Sequence, residues 1–362
     1  MKAAVLIEPG KPLEIERLQV SKPGPNEVLI RTAACGLCHS DINFIDGIYP
    51  HALPFVPGHE AAGIVEAVGS EVRTVKVGDA VVTCLSAYCG QCEFCVTGRM
   101  ALCMGRDTRR REGSEPRLSR LDGSRMNQLL DLSAFAEMML VHEHACVAIN
   151  PEMPLDRASV IGCAVTTGAG TVFNACKLTP GETIAVIGCG GVGLAAINAA
   201  KIAGAGRIIA VDALPEKLEL AKKLGATDLV DGLAPDAVAQ IIDMTDGGVH
   251  HAVEAVGKPS TGQMAVRMLR RGGTATILGM LALDQTVGMA AMDFLSGKTL
   301  QGAKMGANRF PVDLPRLVDF YMRGMLDLDT IIAERIPLEA INQGFDKLRT
   351  GHSARSVIVF DS

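Results

Sequence analysis

The chain has 362 residues, 48% of them hydrophobic and 21% charged, with a formal net charge of −5. That length exceeds the usual single-core limit and predicts two domains, while a net negative charge disfavours non-specific nucleic-acid binding, which needs a basic field. The opening "MKAAVLIEPGKPLEIERL" (1–18) reaches charge and proline too soon for an export signal, and no uninterrupted apolar run of about 18 residues offers a membrane span.

Eleven cysteines in such a chain are expected as reduced thiols and metal ligands in the cytoplasm, not as a disulfide framework. The first segment reads as short strands, "AAVLIE", "EVLIRTAAC", "AAGIVEAVG" and "AVVTCL", separated by turn residues as in "KPGPNE" and "VKVGD". Strands of this length and spacing predict a small antiparallel barrel. Between them lie Cys38 in "CGLCHSD" and His59 with Glu60 in "PGHE". "CGLCH" also matches a c-type haem attachment pattern, which the missing export signal disfavours.

The run "YCGQCEFCVTGRMALC" (88–103) holds Cys89, Cys92, Cys95 and Cys103 at C-x2-C-x2-C-x7-C spacing. Four converging thiolates suit a closed tetrahedral zinc that does no chemistry. Iron–sulfur binding and a disulfide pair are the competing uses. Seven arginines follow between Arg106 and Arg125, readable as a solvated loop or as recognition of an anionic substrate or thiol cofactor. Cys163 comes next, in "IGCAVTTG". With Cys38 and His59 it could supply three ligands and leave a fourth position open, the pattern of a catalytic zinc. Each residue taken alone reads as a buried thiol or a satisfied histidine.

From about residue 180 the texture changes to strand, glycine turn, helix, strand, acid. Gly188, Gly190, Gly191, Val192 and Gly193 lie in a G-x-G-x-x-G run between "TIAVI" and "LAAINAAKIAG", and Asp212 closes the next strand, "RIIAVD". Pyrophosphate would sit on the amides of the helix N-terminus, and the Asp212 carboxylate would take the adenosine ribose hydroxyls, favouring NAD over NADP. "HHAVEAVG", "GGTATILGM" and "TLQGAKM" continue as buried strands of a parallel, doubly wound sheet. After about residue 305 the chain leaves this sheet and ends in a helix, "LEAINQGF" (338–345), and a strand, "RSVIVF".

In combination, "CGLCHSD", "PGHEAAGIVEAVG", the four-cysteine lobe, "IGCAVTTG" and "GCGGVG…VD" resemble the zinc-dependent medium-chain alcohol dehydrogenases, notably the liver-type and thiol-dependent formaldehyde dehydrogenase branch. The resemblance implies an α/β architecture. A GroES-like, mainly β catalytic domain (1–164, completed by 305–362, with the zinc lobe at 88–104) would flank a Rossmann domain (165–304), the site lying in the cleft.

It also implies NAD and two zinc ions per subunit, the catalytic one on Cys38, His59 and Cys163 with Glu60 behind it as an occasional ligand. Asp41 would orient the His59 ring. His39, Thr167, Lys217 and Arg355 would contact the dinucleotide, the bland reading of Lys217 and Arg355 being solvated surface charge. Leu85, Leu129 and Leu130 would wall the substrate pocket, with ordinary core packing as the alternative. A homodimer through the Rossmann sheets is expected, with a small-molecule alcohol or aldehyde as substrate and neither nucleic acid nor membrane as partner.

The implied reaction removes the hydroxyl proton of a primary or aromatic alcohol through Ser40 and passes a hydride to nicotinamide. The liver-type relay has a histidine five residues after the first zinc ligand; this chain has Asn43 there, which cannot titrate. The relay must end in water or at another base such as His39 or His51. Glutathione-dependent members carry an acidic loop before "GHE", and "FIDGIYPHALPFV" lacks it. Oxidation of a mycothiol or glutathione adduct of formaldehyde is the alternative within the same chemistry. A non-catalytic NAD- and zinc-binding module is the alternative of another class.

Overall fold

A computed structural model of the chain describes residues 1–105, 108–110, 113–351 and 355–361. It separates into two compact units. The first contains Met1–Cys163, Arg309–Arg323 and Ile332–Ser362; the second contains Ala164–Asn308 and Gly324–Ile331.

The β-rich expectation for the first unit follows from apolar residues alternating along short segments. Strand Glu27–Gly36 pairs antiparallel with Ala61–Val68, Met138–His142 and Ser356–Val359, and Ala80–Thr83 and Cys146–Ala148 extend this sheet. A second sheet runs in the order Lys2–Val5, Glu14–Val20, Leu118–Arg120, Arg125–Gln128, Phe55–Val56. Residues of both sheets and of helix Ile341–Thr350 share a core that includes Leu6, Ile30, Phe55, Phe135, Phe345 and Ile358. One pairing positions the site. Val357 lies opposite Gly36 and Ile358 opposite Cys35, so the C-terminal strand sets Arg355 beside the segment that begins at Leu37.

In the second unit six strands pair in parallel, in the order Asp228–Asp231, Arg207–Asp212, Thr183–Ile187, Val249–Glu254, Leu269–Ile277, Thr299–Gly302. This is the doubly wound order, reversing direction between Thr183–Ile187 and Val249–Glu254. Helix Gly191–Ile202 is buried along most of its length, which explains its alanine-rich, nearly uncharged sequence.

The domain bounds depart from the sequence expectation. Gly324–Ile331 returns to the second unit, where Asp327 N–H donates to Asn198 Oδ1 at 2.8 Å. The helical run Leu155–Cys176, 22 residues with a mean hydropathy of 1.3, is long and apolar enough to cross a membrane, although it contains threonines and glycines and 83% of the apolar window is buried inside the protein. Burial in a protein core accounts for the same apolar composition.

Candidate active site

Cys38 follows the end of strand Glu27–Gly36 and caps the short helix His39–Ile45. Gly36 is required there: a Cβ would lie 2.9 Å from Glu60 Cδ. His59 is presented by a turn at Gly58, which has φ +93 and whose Cβ would lie 2.6 Å from Phe135 N, so two separate constraints demand glycine. Cys163 sits in a widened, π-type stretch of helix, Ile161–Val165, a distortion common at functional sites. Gly162 lets this turn press on strand Ala80–Thr83, since a Cβ would approach Thr83 O to 2.3 Å.

These three constraints bring Cys38, His59 and Cys163 together. Their ligand atoms all lie within 4.8 Å of one another, and the three residues are 7%, 1% and 6% exposed. Two soft sulfurs and one imidazole nitrogen fit zinc and leave a tetrahedral position for another donor. His59 Nδ1 faces Asp41 Oδ1 at 3.0 Å. The Nδ1–H tautomer that donates to this carboxylate turns Nε2 toward the sulfurs, the usual support of a metal-binding imidazole. Asp41 also accepts from Gly58 N–H at 3.1 Å and Cys38 N–H at 3.3 Å. Ser40 Oγ stands 3.1 Å from Cys38 Sγ and 3.1 Å from His59 Nε2.

The electrostatics suit a cation. A hydrogen bond from Cys163 pulls the Cys38 thiol well below its usual range, with Arg355 and His59 acting in the same direction against burial. Burial works against a charged His59 ring, but the Asp41 carboxylate holds its basicity well above normal. Glu60 is fully buried, and neither of its oxygens makes a hydrogen bond. Burial pushes its carboxyl up to about 8, while Arg355 pulls the other way. Arg355 Nη1 stands 3.5 Å from Glu60 Oε2 and donates to Leu37 O at 2.5 Å. With 3% exposure, Arg355 is not a solvated surface charge. The side chain faces Glu60 and the carbonyl of Leu37, next to Cys38.

The four-cysteine lobe forms a second centre. The sulfurs of Cys89, Cys92, Cys95 and Cys103 lie within 4.8 Å of one another, with separations of 4.0 Å (Cys89 to Cys95), 3.5 Å (Cys92 to Cys95) and 3.8 Å (Cys92 to Cys103). A zinc–sulfur bond of about 2.3 Å gives a tetrahedral sulfur–sulfur edge of about 3.8 Å. Backbone amides of Cys89, Cys92 and Gly105 point at Cys103 or Cys89 sulfur at 3.2–3.3 Å, stabilising thiolate charge. All eleven cysteines are free thiols. His144 Nδ1 reaches Tyr88 O at 2.8 Å while its ring stacks on Tyr88 at 4.4 Å, anchoring the lobe's first residue.

In the second unit, Gly188 has φ +92, and a Cβ on Gly193 would meet Gly188 O at 1.8 Å. A Cβ on Gly190 would meet nothing within 4 Å, so the space beside this glycine is open at the N-terminus of the helix that Gly191 and Val192 begin. Asp212 Oδ2 accepts Cys189 N–H at 2.6 Å and Oδ1 accepts Leu214 N–H at 3.0 Å, tying the acid to the glycine turn. Lys217 is half-buried and close enough to influence Cys189. Thr167 is buried, its hydroxyl 3.6 Å from Met305 Sδ.

The three leucines divide. Leu129 has no exposure and belongs to the core of the first unit, in keeping with the core-packing alternative, whereas Leu85 and Leu130 are only partly buried against that core. Leu130 also adopts φ +53 and Asp131 φ +59, a strained conformation for a leucine. His39 is exposed. His51 Nε2 contacts Gln128 O at 3.2 Å, its ring edge-on to Phe55 at 4.8 Å, and burial lowers its pKa.

Among the described residues, four arginines of the run are paired with acids. Arg110 and Arg117 both bind the buried Glu27, and Arg120 forms a paired contact with Glu16. Arg109 pairs with Asp131 at 2.9 Å and stays 69% exposed. Arg106 and Arg111 lie outside the described residues. Local sequence could not show the pairings of Arg110, Arg117 and Arg120 because their partners are 83 to 104 positions away. Sequence reasoning also passed over Glu254, a fully buried acid ending strand Val249–Glu254. Its signal was a lone carboxylate closing the apolar end, Ala252–Val253, of a parallel strand.

Comparison with known proteins places this geometry in context. Residues 24–151 match the model of the alcohol dehydrogenase GroES-like domain, and residues 191–321 match that of the zinc-binding dehydrogenase. The chain is 37% identical to an alcohol dehydrogenase class-3 from Myxine glutinosa, over 99% of this chain and 97% of that protein. It is 38% identical to an S-(hydroxymethyl)glutathione dehydrogenase from a Synechocystis strain, over 99% of each. Among solved structures, an alcohol dehydrogenase zinc-binding domain protein from Burkholderia ambifaria superposes with a TM-score of 0.95 at 34% identity, covering 100% of this chain and 99% of that one. Benzyl alcohol dehydrogenase from Acinetobacter calcoaceticus gives 0.92 at 35% identity, covering 99% of each.

Proposed function

Because the chain belongs to the zinc-dependent medium-chain alcohol dehydrogenase family, in its formaldehyde dehydrogenase branch, we propose that Cys38, His59 and Cys163 hold its catalytic zinc and that it interconverts primary or aromatic alcohols and their aldehydes. It is an oxidoreductase that uses NAD and zinc and acts on small molecules. That membership sets aside the non-catalytic alternative. The observation that carries the proposal is the convergence of those three ligand atoms within 4.8 Å, oriented by Asp41.

When bound, zinc supplies the positive charge that acidifies a substrate hydroxyl, and NAD supplies the hydride acceptor. The protein's own work is positioning and proton handling. Ser40 is half-buried, with its hydroxyl at the sulfur of Cys38 and the nitrogen of His59, where it can take a proton from a substrate hydroxyl and donate its own onward. Asn43 cannot accept that proton, so we assign its exit to His51. Asp41 fixes the His59 tautomer, and Glu60 with Arg355 closes the buried side of the site. Leu85 and Leu130 offer an apolar surface suited to an alkyl or aryl group. Cys89, Cys92, Cys95 and Cys103 are assigned to a structural zinc. The open space at Gly190 and the carboxylate of Asp212 are assigned to the pyrophosphate and adenosine ribose of NAD, with Lys217 beside them and Thr167 toward the nicotinamide.

A second reading, oxidation of a thiol adduct of formaldehyde, is supported by the relatives named for S-(hydroxymethyl)glutathione, 36–38% identical over 99% of this chain. Measuring NADH formation separates the two. The first expects turnover of benzyl alcohol without added thiol; turnover of formaldehyde only with glutathione or mycothiol would select the second.

A homodimer through the second unit's sheet is also proposed. Its edge strand Thr299–Gly302 lies next in sequence to helix Ala291–Leu295, where Met292, Phe294 and Leu295 are 70%, 64% and 80% exposed. An open edge with apolar neighbours favours covering by another chain. Light scattering that returned a monomeric mass would reject it.

A further inference from the structure

Glu254 is a buried carboxylate with no part in the chemistry above, yet it ties together three segments at the carboxyl end of the parallel sheet. Oε1 accepts hydrogen bonds from Val256 N–H at 2.9 Å, Gly257 N–H at 2.7 Å and the Thr261 hydroxyl at 2.7 Å. The Glu254 backbone carbonyl accepts Leu278 N–H at 2.8 Å and Gly279 N–H at 3.2 Å. Val256, held in this way, abuts the first glycine of the glycine-rich turn, for a Cβ on Gly188 would lie 2.6 Å from Val256 Cγ2. Gly279 packs so tightly on Gly257 that a Cβ would reach Gly257 N at 2.0 Å and Glu254 Oε2 at 2.7 Å. Oε2 itself has no protein hydrogen-bond partner.

A dinucleotide crosses a doubly wound sheet at the carboxyl ends of its strands, spanning the point where strand order reverses. Asp212, at the end of strand Arg207–Asp212, marks the adenosine side. Strands Val249–Glu254 and Leu269–Ile277 lie on the other side of the reversal, so the segments 255–257 and 278–280 underlie the nicotinamide half. We propose that Glu254 is a positioning residue for that half of the cofactor, its carboxylate acting through the Val256–Gly257 segment, on which Gly279 packs, and not by contact. The inference rests on the assignment of NAD to the Gly188–Asp212 site.

The test is a fluorescence titration of zinc-loaded protein with NADH, paired with calorimetric titration with AMP, which engages the adenosine half alone. Glu254→Ala leaves three donors, the Val256 and Gly257 amides and the Thr261 hydroxyl, without their buried acceptor and is expected to weaken NADH binding about tenfold or more, with AMP binding unchanged. Glu254→Gln keeps an acceptor oxygen for the same donors and is expected to rescue NADH affinity to within about threefold of the unsubstituted protein. Thr261→Ala, which removes one donor, is expected to weaken NADH a few-fold and AMP not at all. Unchanged NADH affinity in Glu254→Ala, or equal losses for NADH and AMP, overturns the proposal. If Glu254→Ala fails to fold, unchanged NADH binding in Thr261→Ala does so. An unsubstituted chain that binds neither ligand rejects the dinucleotide assignment itself.

Discussion

Asp41 and His59 form a fully buried pair, Oδ1 to Nδ1 at 3.0 Å. The same carboxylate holds the amides of Gly58 and Cys38, so one side chain orients two of the three proposed ligands. In Asp41→Asn the amide can accept only through one atom, and either Cys38 N–H or the His59 ring loses its partner. Loss of such support typically costs 10- to 100-fold in metal affinity or activity. Competition with a chelator should show zinc leaving this variant at a chelator concentration about 10-fold lower or less, with the circular dichroism spectrum unchanged.

The two zinc centres should separate under mutation. Cys92→Ser removes one sulfur from the lobe, and the prediction is one zinc per subunit instead of two, by atomic absorption. Turnover per remaining zinc should persist, while proteolysis at 88–104 accelerates because the lobe has lost its staple. Abolished turnover with both zincs still bound would refute this division of labour.

Much of the site was legible in the sequence because metal sites and glycine turns depend on residue types that few other roles require. The C-x2-C-x2-C-x7-C spacing and the G-x-G-x-x-G run between a strand and a helix point to their chemistry locally. Cys38, His59 and Cys163 were separately ambiguous; their residue types suggested an open zinc site, but their spacing could not show that they converge. What stayed hidden depends on partners far along the chain. Arg355 reads as a surface charge until strand Ser356–Val359 pairs beside Gly36 and delivers it to Glu60, and Leu129 reads as pocket wall until the sheets close over it. The arginine run was readable as a solvated loop or as an anion site because Glu27 and Glu16, which pair with Arg110, Arg117 and Arg120, belong to strands nearly a hundred residues earlier.

Glu27 makes that arrangement dependent on acid. Burial alone would raise its carboxyl pKa, but hydrogen bonds from Arg110 and Arg117 lower it from 4.5 to about 2. A carboxyl whose folded pKa is depressed contributes stability fully above its unfolded pKa of 4.5, and that contribution is lost as pH falls toward about 2. The size is on the order of 3 kcal/mol. Glu27→Gln should therefore lower stability at pH 7 by a few kcal/mol and flatten its decline below pH 4.5. Urea denaturation between pH 7 and pH 3 measures both. Parallel curves for the two proteins would contradict the assignment.

The glycines of the turn should divide between fold and ligand. Gly193→Ala places a methyl 1.8 Å from Gly188 O, and overpacking of this severity should cost about 3 kcal/mol or more. Gly190→Ala meets nothing within 4 Å, and its φ of −80 suits any residue. Its melting temperature should match the unsubstituted protein, while the added methyl occupies the space assigned to pyrophosphate and weakens NADH binding about tenfold or more. A Gly190→Ala protein with normal NADH affinity would show that the dinucleotide does not approach there.

His51 remains the proposed exit for the proton from Ser40. Its ring packs edge-on against Phe55 and is held at Gln128 O, and burial lowers its pKa below 6.5. A neutral ring accepts a proton, so kcat should fall as pH drops through that lowered value, giving an acid limb below pH 6.5. His51→Gln cannot titrate. It should abolish the limb and slow turnover near neutral pH, by 10²-fold or less because water can substitute for the base, a rough bound for one general-base contribution. His39→Gln, exposed beside the ligand turn, should leave the limb in place. A pH–rate profile unchanged in His51→Gln and altered in His39→Gln would move the relay to His39, and one unchanged in both would send the proton directly to solvent.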